Sequence, residues 1–194
     1  MPKQVDHEAR RHRIAQALWR VTSAHGLEGV SLRHIAAEAG VSMGQIQHYF
    51  RSKDDMLLFA LDRMSRDVDV RVQERLSTLD RADEPAVLTR AVLVEMLPLD
   101  EQRRVEGLVT LAFLARAPFA PDIGDALTTG HDQLRDFLAE QLHAVGVRPD
   151  DARAHGIELV ALLEGLTTLV LSGSMAAEAA LAALDSRLTQ AFDA

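Results

Sequence analysis

Between residues 8 and 25, Ile14, Leu18, Val21 and Ala24 recur at helical spacing on one stripe, with Ala15, Ala17 and Trp19 beside it. That spacing predicts an amphipathic helix ending at Gly26. A short loop, Leu27 to Val30, follows, and Ser31 is placed to cap a helix over 32–39, because its hydroxyl can accept a backbone N–H one turn on. Gly40 breaks that helix and Ser42 caps the next, over 43–50. Ser52 or Lys53 opens a long helix to about Leu79, with Asp54 and Asp55 favourably placed in its first turn. Its first half carries Met56, Leu57, Ala60, Leu61 and Met64. Beyond Met64 it becomes highly charged, which puts a compositional boundary inside a helix rather than in a linker.

The pattern continues as helices to the end of the chain. Pro85 introduces one over 86–97, stopped by Pro98. Another runs over 99–117 to a rigid Ala-Pro-Phe-Ala-Pro turn. Leu127, His131, Leu134, Leu138 and Leu142 form a stripe that closes at Gly146. Pro149 opens a helix over 150–171 whose stretch 156–171 is apolar almost all round, Gly173 breaks it, and a last helix spans 176–192. The fold class is therefore all-α with about nine helices. A three-helix head over residues 1–53 precedes a larger helical bundle over 54–194.

Charge changes this picture. The chain carries −8 overall, but residues 1–53 hold eight Lys/Arg against four Asp/Glu, while the rest holds thirteen against twenty-five. A basic head on an acidic body points to a polyanion partner for the head alone. Cysteine is absent, so neither disulfides nor thiolate metal sites support the fold. No His cluster has metal-ligand spacing and no Gly-rich phosphate loop occurs, so no cofactor or metal is expected, nor an enzyme. No apolar run of signal-peptide length opens the chain, and no stretch approaches about 18 uninterrupted apolar residues. A cytoplasmic protein without membrane association is the expectation.

Residues 32–50 have the grammar of a helix-turn-helix. Ile35 and Ala36 face inward, and Ala36 is small where the second helix crosses. Gly40 supplies the left-handed turn, Val41 plugs it, and Ile46 anchors the second helix. Gln45, Gln47 and His48 are left facing outward, toward a major groove about 12 Å wide. Trp19 and Phe50 read as core residues of the head.

At this point a family resemblance becomes specific. Ser31-Leu-Arg-x-Ile-Ala, Ala39-Gly-Val-Ser, Gly44, Tyr49-Phe-x-Ser-Lys53 and Leu57 resemble the DNA-binding domain of the TetR family over about residues 8–64. The His48-Tyr49-Phe50 run, Leu163-Glu-Gly-Leu166 and Ala180-Leu-Ala-Ala-Leu184 are similar to its BetI-type subgroup. The resemblance implies contacts from Arg33 and Gln45 at the groove edge and from Gln47 to base edges. Gln47 stands where the family often has Tyr, and a Gln can pair with adenine N6/N7. His48 and Tyr49 would meet phosphates and sugars. Lys53 would meet a phosphate with help from its helix N-terminus. Ser42 and Gly44 would let backbone N–H groups approach phosphate.

The same resemblance implies a repressor that binds a palindromic operator as a homodimer and is released by a small-molecule effector. Met96, Leu108, Phe113, Phe119, His131 and Phe137 are the expected lining of the effector pocket. Ile157, Val160, Leu163, Leu166, Leu184 and Leu188 are the expected dimer face, because a helix without a polar side is buried on both sides. Burial inside one subunit and ordinary core packing remain the alternatives for these two sets. Glu164, a charge in an apolar helix, needs a partner: a cationic ligand or a salt bridge. Effector binding would shift the charged helix over 54–79 and so change the separation of the two recognition helices. Two alternatives stay open: a DNA-binding regulator controlled by a protein partner or by no ligand, and a helical interaction module without DNA binding.

Overall fold

The computed structural model describes residues 2–26 and 30–193, with side chains from Glu8 onward; most of the predicted loop over 27–30 lies outside the described residues. Among the described residues there are nine α-helices: α1 (Pro2–His25), α2 (Leu32–Ala39), α3 (Met43–Tyr49), α4 (Lys53–Leu76), α5 (Pro85–Met96), α6 (Glu101–Arg116), α7 (Pro121–Ala144), α8 (Pro149–Leu171) and α9 (Ala177–Phe192). A single 3-10 turn, Ala117–Phe119, separates α6 from α7. The boundaries follow local chemistry. Gly26, Gly40, Gly146 and Gly173 all have positive φ just beyond helix ends, where a Cβ would be strained. Pro85 and Pro149 occupy first turns, where their missing N–H costs nothing.

The chain divides into two compact units. The first comprises residues 1–67 and 108–126, the second 68–107 and 127–194, so the division falls inside α4, and 108–126 groups with the head. In the first unit Ile14, Leu18, Ile35, Ile46, Met56, Leu57 and Phe113 are almost wholly buried. The predicted α1 stripe holds, except that Ala24 is exposed. Trp19 is half-buried and its indole N–H donates to the Ala60 carbonyl at 3.2 Å.

The second unit has a continuous apolar core drawn from α5, α7, α8 and α9. Gly156 explains how α8 lies so close to α7: a Cβ there would sit 3.0 Å from the Arg135 carbonyl oxygen. By length and composition α8 could cross a membrane, but its apolar side, including Leu159, Leu163, Leu166 and Val170, is buried in this core. A network of charged groups crosses the same unit. Glu95, 7% exposed at its side chain, receives Arg75 at 2.5 Å, Arg71 at 3.3 Å and Arg103 at 3.6 Å. Arg71 also grips Glu106 with two hydrogen bonds, of 2.9 and 2.6 Å. Burial works against the Arg71 charge, but Glu106 and then Glu95 outweigh it and hold its pKa above the ordinary value.

Candidate nucleic-acid interface

The turn between α2 and α3 is built by hydrogen bonds the sequence specifies. Gly40 has φ of 64°, its N–H donates to the Ala37 carbonyl at 3.3 Å, and the Val41 N–H donates to the Ala36 carbonyl at 3.0 Å. This is the paired closure of a helix that ends on glycine. Ser31 caps α2 by accepting the His34 N–H at 3.2 Å.

The start of α3 is fixed from both directions. Ser42 Oγ accepts the Gln45 N–H at 3.2 Å, and Gln45 Oε1 accepts the Ser42 N–H at 2.9 Å, a complete capping box. The Ser-x-x-Gln spacing announces this box, yet a sequence reading intent on base contacts passes over it. Its consequence is chemical: with the carboxamide oxygen of Gln45 occupied, the end left to face a partner is the NH2 donor. Ile46, 1% exposed, and Phe50, 5% exposed, bury the inner side of the helix. The Arg11 guanidinium lies over the Phe59 ring at 4.0 Å and over Phe50 at 5.1 Å, tying α1 to the end of α3.

The outer side of α3 carries Met43, Gly44, Gln47 and His48, all exposed. His48 packs edge-on to Tyr49, with ring centroids 5.4 Å apart. Arg33 of α2, Ser42 and Lys53 are exposed as well. Of the residues expected to meet DNA, Arg33, Ser42, Gly44, Gln47, His48 and Lys53 are exposed and Gln45 and Tyr49 are half-buried. Lys53 also braces the head, since its Nζ donates to the Val30 carbonyl at 3.0 Å and ties the start of α4 to the segment before α2. Ser52 caps α4 by accepting the Asp55 N–H at 3.0 Å, while Asp55 accepts the Arg51 N–H at 2.9 Å. The sequence reading missed Met43, which is 43% exposed on the outer side of α3.

The expected effector and dimer residues are distributed otherwise. Leu108, Phe113 and Phe119 belong to the first unit; Met96, His131 and Phe137 belong to the second. Phe113 is fully buried, Phe119 is 79% exposed on its 3-10 turn and Met96 is 37% exposed, while Leu108 is half-buried. Phe137 packs against the second unit's core. His131 lines an open cleft of about 190 Å³ with Arg135, Ile157, Val160, Ala161 and Glu164. Its Nε2 lies 2.8 Å from Glu164 Oε1, the charge set within the apolar stretch of α8.

Of the expected dimer residues, Val160, Leu163, Leu166, Leu184 and Leu188 are buried in the second unit's own core, and only Ile157, 55% exposed, faces outward. The exposed side of α8 is instead Ile157, Ala161, Gly165, Thr168 and Leu169. Hydropathy periodicity favoured the leucines; of the small residues that the sequence marks as permitting close approach of a partner helix, Ala161 and Gly165 lie on this exposed side and Gly156 is buried.

With this geometry in view, two family models match the chain: bacterial regulatory proteins of the tetR family over residues 14–59, and the C-terminal region of BetI-type transcriptional repressors over residues 85–193. The chain is 42% identical over 140 residues to the HTH-type transcriptional regulator PksA of Bacillus subtilis, covering 72% of this chain and 67% of that protein. Among solved structures it resembles a transcriptional regulator from Rhodococcus sp. Rha1, with a TM-score of 0.84 and 32% identity over 94% of this chain and 96% of that one. It also resembles a transcriptional regulator from Saccharomonospora viridis in complex with choline, with a TM-score of 0.79 and 26% identity over 96% of both chains. The chain is a transcriptional regulator rather than an enzyme, and it belongs to the tetR family of bacterial regulatory proteins.

Proposed function

We propose that this regulator is a cytoplasmic repressor that binds a palindromic operator as a homodimer, through α3 of each subunit, and leaves it when a small molecule binds the helical half. The observation that carries the reading is the outer side of α3, where Gln47 and His48 stand exposed on a helix fixed by its capping box and its buried Ile46, with Arg33 of α2 and Lys53 of α4 exposed as well. Gln47 suits an adenine edge, and the cationic groups suit phosphate.

The dimer is assigned to the exposed side of α8. Gly165 there opens onto space, since a Cβ added to it would meet no neighbouring atom within 4 Å, and Ala161 beside it leaves room for a second helix to approach. A two-fold dimer matches a palindromic operator, whose half-sites lie about 34–36 Å apart. The effector assignment draws on the BetI-type match and on choline bound by the Saccharomonospora viridis regulator. An organic cation fits the acidic balance of residues 54–194, in which Glu164 Oε1 lies 2.8 Å from His131 Nε2.

Selection of bound duplexes from random DNA by the full chain tests the reading. An enriched inverted repeat with that half-site spacing is expected; failure to enrich any sequence contradicts it. Gly165→Glu should keep the fold, since the position is open, while sedimenting as a monomer and losing most affinity for the full palindrome. Dimers that survive this change would contradict the assignment of the α8 face.

A further inference from the structure

We propose that Met43 reads a thymine C5-methyl group in the operator, within one or two base pairs of the pair that Gln47 reads. The inference rests on α3 being the recognition helix. Met43 is the first residue of α3, and its side chain has no part in building that helix. The cap is made by Ser42 and Gln45, and the core side by Ile46 and Phe50. The residue is nevertheless 43% exposed, one of two large apolar residues so exposed among the described residues of the first unit, the other being Phe119 on its separate turn.

The surroundings of Met43 say what it meets. Gly44 beside it has no side chain, and a Cβ there would find only Ser42 Oγ, at 3.9 Å. The tip of α3 is therefore bare around one apolar group. Gln47 stands one turn on, and residues four apart on a helix neighbour each other with an axial rise of about 6 Å. Base pairs rise by about 3.4 Å per step, so Met43 and Gln47 reach pairs at most two steps apart. The N-terminal residues of a recognition helix are those that meet base edges. In the major groove thymine offers an apolar feature, its C5 methyl, where the other bases offer hydrogen-bonding groups. A flexible thioether fits that methyl well, since methionine adapts its shape to apolar surfaces at little cost.

The test uses the selected operator with thymines in equivalent positions of both half-sites replaced, one position at a time, by deoxyuridine. This removes the methyl and leaves base pairing intact. Wild-type protein should lose about fourfold in affinity per half-site at one position and little elsewhere. Met43→Ala should bind the unmodified operator more weakly by a similar factor and be indifferent to deoxyuridine at that position. Gln47→Ala should still discriminate the methyl. Chemical unfolding of Met43→Ala should match wild type, which separates a lost contact from a damaged head. Equal wild-type affinity for every deoxyuridine duplex, or undiminished discrimination by Met43→Ala, overturns the inference while leaving α3 as the reader. Absence of any sequence-specific binding to the unmodified operator overturns both.

Discussion

Glu95→Gln removes the charge at the centre of the second unit's polar network while keeping its shape. Breaking an isolated buried ion pair costs about 3–5 kcal/mol, because it strands a charge away from water. The geometry here lowers that figure. Arg71 retains its two hydrogen bonds to Glu106, and Arg103 retains Asp100 at 2.7 Å. Arg75, whose 2.5 Å bond to Glu95 is the shortest of the three, is 34% exposed at its side chain and can turn to water. The cost should then approach one or two charge-assisted hydrogen bonds, about 2–3 kcal/mol in all. For a chain of this size that lowers the melting temperature by roughly 4–12 °C. Urea unfolding followed by circular dichroism measures it, with exposed Glu101→Gln as the control. Arg75→Met should cost much less in the Glu95→Gln background than in wild type, since the two groups share one interaction. A loss below about 1 kcal/mol, or equal to that of the control, would refute the view that this network holds α4, α5 and α6 together in the unit.

Gly156→Ala should destabilise by about 1–3 kcal/mol, since the new methyl meets the backbone of α7 at 3.0 Å; unfolding at the wild-type midpoint would contradict that packing. Gln45→Glu should leave thermal stability unchanged, because a carboxylate completes the same capping box, yet weaken operator binding in a filter or anisotropy assay by replacing the outward NH2 donor with an acceptor; wild-type affinity would show that Gln45 serves the cap alone. Asp100 pulls against its partial burial, and the Arg103 backbone N–H and guanidinium hold its carboxyl below the ordinary 3.8. The stability it contributes is therefore present above that value and lost as pH falls through the depressed one. Asp100→Asn should be less stable than wild type at neutral pH, with the two denaturation curves converging in acid; a constant gap at all pH values would contradict the ion pairing.

The head was readable because each of its rules is local. Serine caps, a glycine in the left-handed region and apolar residues three or four apart determine α1 to α3; the structure reproduces α2 and α3 to within a residue, while α1 begins six residues earlier than the apolar stripe predicted, at Pro2. Gln47 and His48 were legible as outward-facing because Ile46, next to them in sequence, had to be the inward one. The second unit was less legible for a physical reason. In α8 apolar residues occur on every side, so periodicity could not tell the side packed on α7 and α9 from the side left open; only the path of neighbouring helices decides that. The Glu95 network was hidden for a related reason. The pairs that α4 contributes are separated by 20 to 35 positions, and a charged stretch such as 66–75 looks like solvated surface until α5 and α6 are laid against it. Met43 escaped notice because exposure of an apolar residue at a helix tip depends on where the core ends.

The most direct test is an anisotropy titration of the selected operator and of a shuffled duplex of equal composition, at several salt concentrations, with wild type and with the double variant Gln47→Ala, Lys53→Ala. The account predicts that wild type prefers the operator by a factor of about 10³ or more and loses affinity steeply with salt, and that the variant falls toward the shuffled-duplex affinity while unfolding normally. Equal wild-type affinity for both duplexes, or a variant that binds the operator as wild type does, would contradict the claim that α3 reads DNA sequence.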